Sequence, residues 1–257
     1  MKVAPRETLG VPQHQTVRSV VKATQLLLCV AESAGGLTAL QAAQAVGLPP
    51  GTAYHLLNTL LAEGMLSRGA GRRYKLGPKV AALAIAFSRQ GPSERLLEAV
   101  RRLAETTGET AYLSGWQGDE VVALAAIEGT EPVRVGRIHA ELRGHEHARA
   151  SGKVMLAHLD GTSLDHYLAV HELEPITSAT IASEVALRDE LGRVRASGAA
   201  IDEAEFSGDI GCVSAPIYEG GICVGCLAIS APLERFRQRR ETLLAAVLAA
   251  AGSVSHP

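Results

Sequence analysis

Gly91-Pro92 interrupts the chain between two stretches of opposite charge. Residues 1–92 hold 10 Lys/Arg against 3 Asp/Glu, and residues 93–257 hold 15 against 24, so +7 is joined to −9 within a total of −2. A helix does not run through such a pair, because proline has no N–H to donate and pushes the residue before it out of the helical region. Two units are therefore expected, one that attracts a polyanion and one that repels it. Uneven surface charge alone gives the same sums, so motifs must decide. With 257 residues and 47% hydrophobic side chains, each unit has material for a core. No apolar run is long enough to cross a bilayer, and Met1 to Gln15 lacks the apolar middle of a secretion signal; a cytoplasmic protein with no membrane partner is expected. Cys29, Cys212, Cys223 and Cys226 are irregularly spaced and are expected to stay reduced.

Residues 1–17 carry Pro5, Gly10 and Pro12 without apolar period and read as a flexible tail. Val20, Ala23, Leu27 and Val30 then recur at helical spacing up to Gly35-Gly36. Thr38-Ala39-Leu40-Gln41 has the form of a capping box opening a short helix that ends at Gly47. Pro49-Pro50 opens a third helix, with Ala53, Leu56, Leu57, Leu60 and Leu61 as its buried stripe and Gly64 as its stop. Its opposite face carries Thr52, His55, Asn58 and Thr59, with Tyr54 at the flank. Two segments, 65–68 and 73–76, flank the tip Gly69-Ala70-Gly71-Arg72; Tyr74 and Leu76 are expected on the buried face, Arg73 and Lys75 on the other. Three helices and a basic hairpin make a winged helix-turn-helix over residues 18–77. From Pro78 to Pro92 a linker helix is expected, its stripe Val80, Leu83, Ala84 and Phe87 packing on another subunit or on the following domain.

The remainder, residues 93–257, reads as α+β with a mostly antiparallel sheet and helices on its faces. Leu96, Val100 and Leu103 mark a helix ended by Gly108, and strands at 110–116 and 121–127 flank Gly118-Asp119. A third strand is expected at 133–137, helices at 151–158 and 184–197, strands at 199–202, 213–217 and 222–230, and a closing helix through Leu243, Val247 and Ala251.

These residues resemble the IclR family of bacterial transcription regulators. The likeness rests on Ser19 to Ala23, on the run Gly47 to Leu60, on Arg73-Tyr74-Lys75-Leu76-Gly77, on His147 to Lys153, on Leu187 to Gly198, and on Cys212 to Ile217 followed by Leu227 to Ser230. It spans roughly residues 18–255. The resemblance implies a ligand-responsive regulator, more often a repressor, that binds double-stranded operator DNA as a dimer or dimer of dimers. It also implies a GAF-like effector-binding and oligomerisation domain holding a small organic acid through Ala150, Ser151, Asp202, Cys212 and Ser230. Ala228 stands where many members have a second serine, and His55 where Arg is common.

For DNA, Asn58 can read adenine at two points, Tyr54 and His55 can reach bases or phosphates, and Thr52 lies where a helix N-terminus meets a phosphate. Ser19, Lys22, Thr38 and Gly51 of the helical part and Arg68, Arg72, Arg73 and Lys75 of the wing complete the expected contact set. His145-Glu146-His147, with His139 and His158 nearby, raises a metal, but spacing fixes no third ligand and none is assigned. Cys223 and Cys226, three apart on a strand, are expected on opposite faces, as core rather than a metal or redox pair. No cofactor is implied. An enzyme is the rival reading, since Asp202, Glu203, Glu205 and Asp209 lie close in sequence, but no nucleophile elbow, phosphate loop or metal-binding helix signature accompanies them. A DNA-binding protein without ligand is the third.

Overall fold

The computed structural model describes residues 16–33, 35–136 and 143–256. Two compact units divide the chain after Gln90. Most of the expected tail, and His139, lie outside the described residues.

The first unit opens with α1 (Arg18–Ala31), α2 (Ala39–Val46) and α3 (Pro50–Ala62). The capping box forms as read: Thr38 N donates to Gln41 Oε1 at 3.0 Å and Gln41 N to Thr38 Oγ1 at 3.3 Å. Gly47, left-handed at φ 70°, closes α2, and Pro50 occupies the first turn of α3. Leu26, Val30, Ala42, Ala43, Ala53, Leu57, Leu66 and Tyr74 make one core. Leu56, Leu60 and Leu61 border it. Val20 does not join; it lies in the first turn of α1 at 61% exposure, so the buried stripe begins at Leu26.

β1 (Leu66–Arg68) and β2 (Tyr74–Leu76) form the antiparallel wing, with Arg68 opposite Tyr74. Tyr74 also pairs with Leu37 through both its N–H and its C=O, so the wing is stitched to the turn before α2. Leu76 departs from the expected pattern at 41% exposure: its cross-strand partner Leu66 and the Tyr74 ring fill the core before Leu76 reaches it. Gly77 is sterically required, since a Cβ there would come within 2.4 Å of the Gly64 carbonyl oxygen. α4 (Pro78–Gln90) follows, with Leu83, Ile85 and Phe87 exposed.

The second unit begins with α5 (Glu94–Thr107), capped by Ser93 and ended by Gly108. A five-stranded antiparallel sheet runs β4 (Glu120–Ile127), β3 (Thr110–Gln117), β7 (Ile222–Pro232), β6 (Ile210–Glu219), β5 (Ala200–Glu203). One face packs on α5 and α9 (Leu233–Val254) through Val100, Leu103, Phe236, Leu243 and Val247. The other packs on α6 (Ala150–Ala157), α7 (Gly161–Val170) and α8 (Glu184–Ser197) through Val154, Leu156, Leu164, Leu187 and Leu191.

The third strand expected at 133–137 is absent over 133–136, and Arg137 lies outside the described residues. Side chains hold that segment instead of a ladder: Thr110 Oγ1 donates to the Val135 carbonyl and Arg235 to that of Val133. α7 was not read from the sequence, because it offers a short apolar pattern behind a leading glycine; its one local signal is Asp160, whose carboxylate accepts the Ser163 N–H at 2.9 Å.

Candidate functional site

Two groups of polar residues stand out, one in each unit. In the first, α3 turns Gly51, Thr52, Tyr54, His55 and Thr59 outward while Ala53 and Leu57 anchor it. The Thr59 hydroxyl is spent on its own helix, donating to the His55 carbonyl at 3.0 Å. Ser19 is exposed and Lys22 half-buried on α1. Thr38 is used as a helix cap.

The wing residues divide by role. Arg72, with φ 56°, and Lys75 are exposed at and near the tip. Arg73 turns inward: its Nη1 donates to the Gly36 carbonyl at 2.8 Å and lies 3.4 Å from Gln41 Oε1. Arg68 Nη2 donates to the Tyr74 hydroxyl at 3.0 Å, and that hydroxyl donates to Asn58 Oδ1 at 3.2 Å. The Asn58 side chain, then the Arg68 guanidinium, also hydrogen-bond the exposed Tyr54 hydroxyl and hold its pKa below the usual tyrosine value.

In the second unit, the register sets Thr110, Ser230, Cys212 and Asp202 side by side on β3, β7, β6 and β5. Their neighbours Ile201, Val213 and Ile229 pack on the α5/α9 face, so strand alternation turns this row toward α6. Asp202, Ser230 and Cys212 are 2%, 3% and 8% exposed. Cys212 Sγ lies 3.0 Å from Ser230 Oγ, which donates to the Tyr112 hydroxyl at 3.3 Å. Asp202 Oδ1 accepts the N–H groups of Glu205 and Phe206 at 2.8 and 3.3 Å. Burial pushes the Asp202 carboxyl up to about 6, against those N–H groups. Burial, then the nearby Asp202 carboxylate, raises the Cys212 thiol far above its usual range, so it stays an S–H donor.

Lys153 on α6 is wholly buried and spends its three donors on the Ile201 carbonyl (2.5 Å), Glu205 Oε1 (2.6 Å) and Glu190 Oε1 (3.3 Å). Glu205 rises to about 7 through burial, with Lys153 opposing. Ala150 and Ser151 open α6; the Ser151 carbonyl accepts from Cys226 at 3.7 Å, two same-face rows along the sheet from Cys212 and Ser230. Ala228, opposite Tyr112, occupies the row between. Gly152 lets the helix seat, because a Cβ there would meet the Glu146 carbonyl oxygen at 2.2 Å. Glu146, fully buried, fixes that turn by accepting from Val121 N, Arg149 and the Tyr167 hydroxyl. Lys153 is a charge inside the buried apolar helix α6, and that misfit is the sequence signal that marks it, whereas Glu146 stands in a polar run that gives no such signal.

The His145-Glu146-His147 segment is no strand: His145 has φ 53° and the three-residue turn after it is 3-10, so the two imidazoles do not share a strand face. Glu146 is committed inward, and among the described residues no cluster of three potential metal ligands occurs. The two β7 cysteines also depart from expectation. Ile217 pairs with Gly225 but Tyr218 with Cys223, so a bulge at Val224 shifts the alternation, and Cys223 and Cys226 pack against the same cluster. Both are free, and burial raises their thiols to about 11 and about 12. A solvent-open cavity of about 450 Å³ lies elsewhere, lined by residues such as His171, Leu173 and Glu184 near α7 and α8. The buried row carries the more specific chemistry.

The model of the IclR helix-turn-helix domain matches residues 19–69, and that of the C-terminal domain of IclR bacterial transcriptional regulators matches residues 87–256. The chain belongs to the IclR family. The transcriptional regulator BhcR of Paracoccus denitrificans is 33% identical over 251 residues, covering 96% of this chain and 89% of the relative. The transcriptional repressor IclR of Escherichia coli is 28% identical, with 92% and 88% covered. The solved IclR structure from Thermotoga maritima matches at 26% identity and a TM-score of 0.59, covering 92% of this chain and 97% of that one. This IclR-family chain is thus a DNA-binding transcription regulator with an effector domain. No helix among the described residues is long and apolar enough to cross a membrane.

Proposed function

We propose that this IclR-family regulator is a repressor that binds its operator as a homodimer or dimer of dimers and responds to a small hydroxy, oxo or aromatic acid, with no catalytic reaction of its own. Thr52, Tyr54 and His55 on the exposed face of α3 meet the bases, and Gly51, Ser19, Lys22, Arg68, Arg72 and Lys75 the backbone. The effector lies against Asp202, Cys212 and Ser230, with backbone of Ala150 and Ser151 at the start of α6. The observation that carries the sensing half is the alignment of those three polar side chains on adjacent strands, buried beneath α6. Interior polar groups are costly unless partnered, and a ligand offering a carboxylate and a donor matches a hydroxyl, a thiol and a carboxyl. Ala228 in the neighbouring row makes the cleft less polar and favours a ligand with some apolar body.

The chain is tested by a thermal-shift screen of hydroxy, oxo and aromatic monocarboxylates, followed by operator binding with and without each hit. A stabilising acid that changes operator affinity supports the reading. Stabilisation by none of them, or by acids that leave operator affinity unchanged, overturns its sensing half.

A further inference from the structure

Asn58 lies on the polar face of α3, where an asparagine is the natural reader of adenine, because its carbonyl and amide together match the two hydrogen-bonding positions of that base. The structure commits the carbonyl end of that pair to a partner within the protein. Arg68 can only donate, so the Tyr74 hydroxyl that accepts from it must send its own proton to Asn58, and the acceptor is fixed as Oδ1 at 3.2 Å. Tyr74 is 1% exposed and is held on both strand edges, by Leu37 and by Arg68. The Arg68 guanidinium lies 5.3 Å from the centre of its ring. Asn58 is therefore the one α3 side chain of this set that joins the helix to a buried wing residue.

We propose that Asn58 is a positioning residue: it clamps the wing onto the recognition helix, and it does not read a base. The inference rests on the DNA-binding role of this face. With Oδ1 accepting from Tyr74, one of its two acceptor positions is committed, and turning the amide away to meet a base would leave a buried hydroxyl without its acceptor.

The test uses the full chain, duplexes selected by the wild type from a random pool, and an unselected random duplex. Tyr74→Phe removes the hydroxyl that bridges Arg68 and Asn58 at a site DNA cannot touch, and Asn58→Ala removes the other end. Each single variant is expected to lose about 2- to 10-fold in affinity for selected and random duplexes alike, the worth of one hydrogen bond. The double variant is expected to lose no more than either single, and selection with Asn58→Ala to return the wild-type base preferences. Losses that multiply in the double variant, or a base preference relaxed at one position by Asn58→Ala alone, would overturn the proposal. Should Tyr74→Phe fail to fold, the base preferences of Asn58→Ala decide. A wild type that enriches no sequence defeats operator recognition itself, an outcome distinct from a misassigned asparagine.

Discussion

The wing shows how far one side chain's partner changes its role. Arg72 and Arg73 are adjacent and identical in chemistry, yet Arg72 stands exposed at the tip while Arg73 bonds the Gly36 carbonyl. Replacing Arg72 by Ala is expected to lower affinity for specific and random duplexes together and to reduce the salt slope by about one unit, read by titration at several salt concentrations. Replacing Arg73 by Ala is expected instead to cost about 1–3 kcal/mol of stability in the first unit, read by denaturant unfolding. A second residue-level expectation concerns the buried acids. Asp202 and Glu205 titrate near 6 and near 7 when folded, above the usual carboxylate range. Because the folded state holds those protons more tightly than the unfolded chain does, the associated stability is full below about pH 4 and is lost as pH rises through 6 to 7. The melting temperature of the Glu205→Gln variant is accordingly expected to rise relative to the wild type between pH 5 and pH 8. A difference between the two that stays flat with pH would refute this.

Among elements, α4 carries an unresolved imbalance. Leu83 and Phe87, one turn apart on the same face, are 57% and 75% exposed and form an apolar strip open to solvent. Pairing across a two-fold axis would bury it and match a palindromic operator. Charges placed at both Leu83 and Phe87 are expected to lower the sedimentation mass and the operator affinity together; a variant that loses neither would remove α4 from the interface. The helices of the first unit were legible because each carries its punctuation locally: Thr38 and Gln41 for α2, Pro50 for α3, Gly91-Pro92 beyond α4. Legibility failed where a distant partner decides. The segment at 133–136 has the composition of a strand but is fastened by Thr110 and Arg235, and the two free cysteines of β7 pack against one cluster through a bulge that leaves no mark in composition. The sensing row was found through resemblance, and only the sheet register shows that Asp202, Cys212 and Ser230 are neighbours. The bond from Tyr74 to Asn58 is likewise invisible in the sequence, since the two lie sixteen residues apart.

For the whole molecule the question is how an event on a sheet changes DNA affinity. A ligand shifts an equilibrium only by the difference between its affinities for two arrangements, so the effector must bind one arrangement of the regulator better than another. Operator binding requires two recognition helices about one helical turn apart, roughly 34 Å, so a small rotation between subunits is enough to change affinity. The row proposed to hold the effector is closed in this structure, with Asp202 and Ser230 at 2% and 3% exposure. Effector entry to that row must therefore displace packing contacts, and its association is expected to be well below the diffusion limit, as stopped-flow fluorescence at Trp116 would report. Ser230→Ala removes a hydroxyl that bridges Cys212 and Tyr112, and Asp202→Ala removes the carboxyl that caps the loop at Glu205 and Phe206. With the effector found by the thermal-shift screen, Ser230→Ala is expected to weaken it by about 10- to 100-fold, the cost of one buried hydrogen bond to a charged group, while leaving effector-free operator affinity within twofold of the wild type. Asp202→Ala is expected to lose the effector response and some stability as well, because its loop loses two backbone partners. Linkage then requires that the factor by which effector changes operator affinity equal the factor by which operator changes effector affinity, so any change that Ser230→Ala makes in one must appear in the other. Unchanged effector affinity in both variants would place the sensing site elsewhere in the second unit.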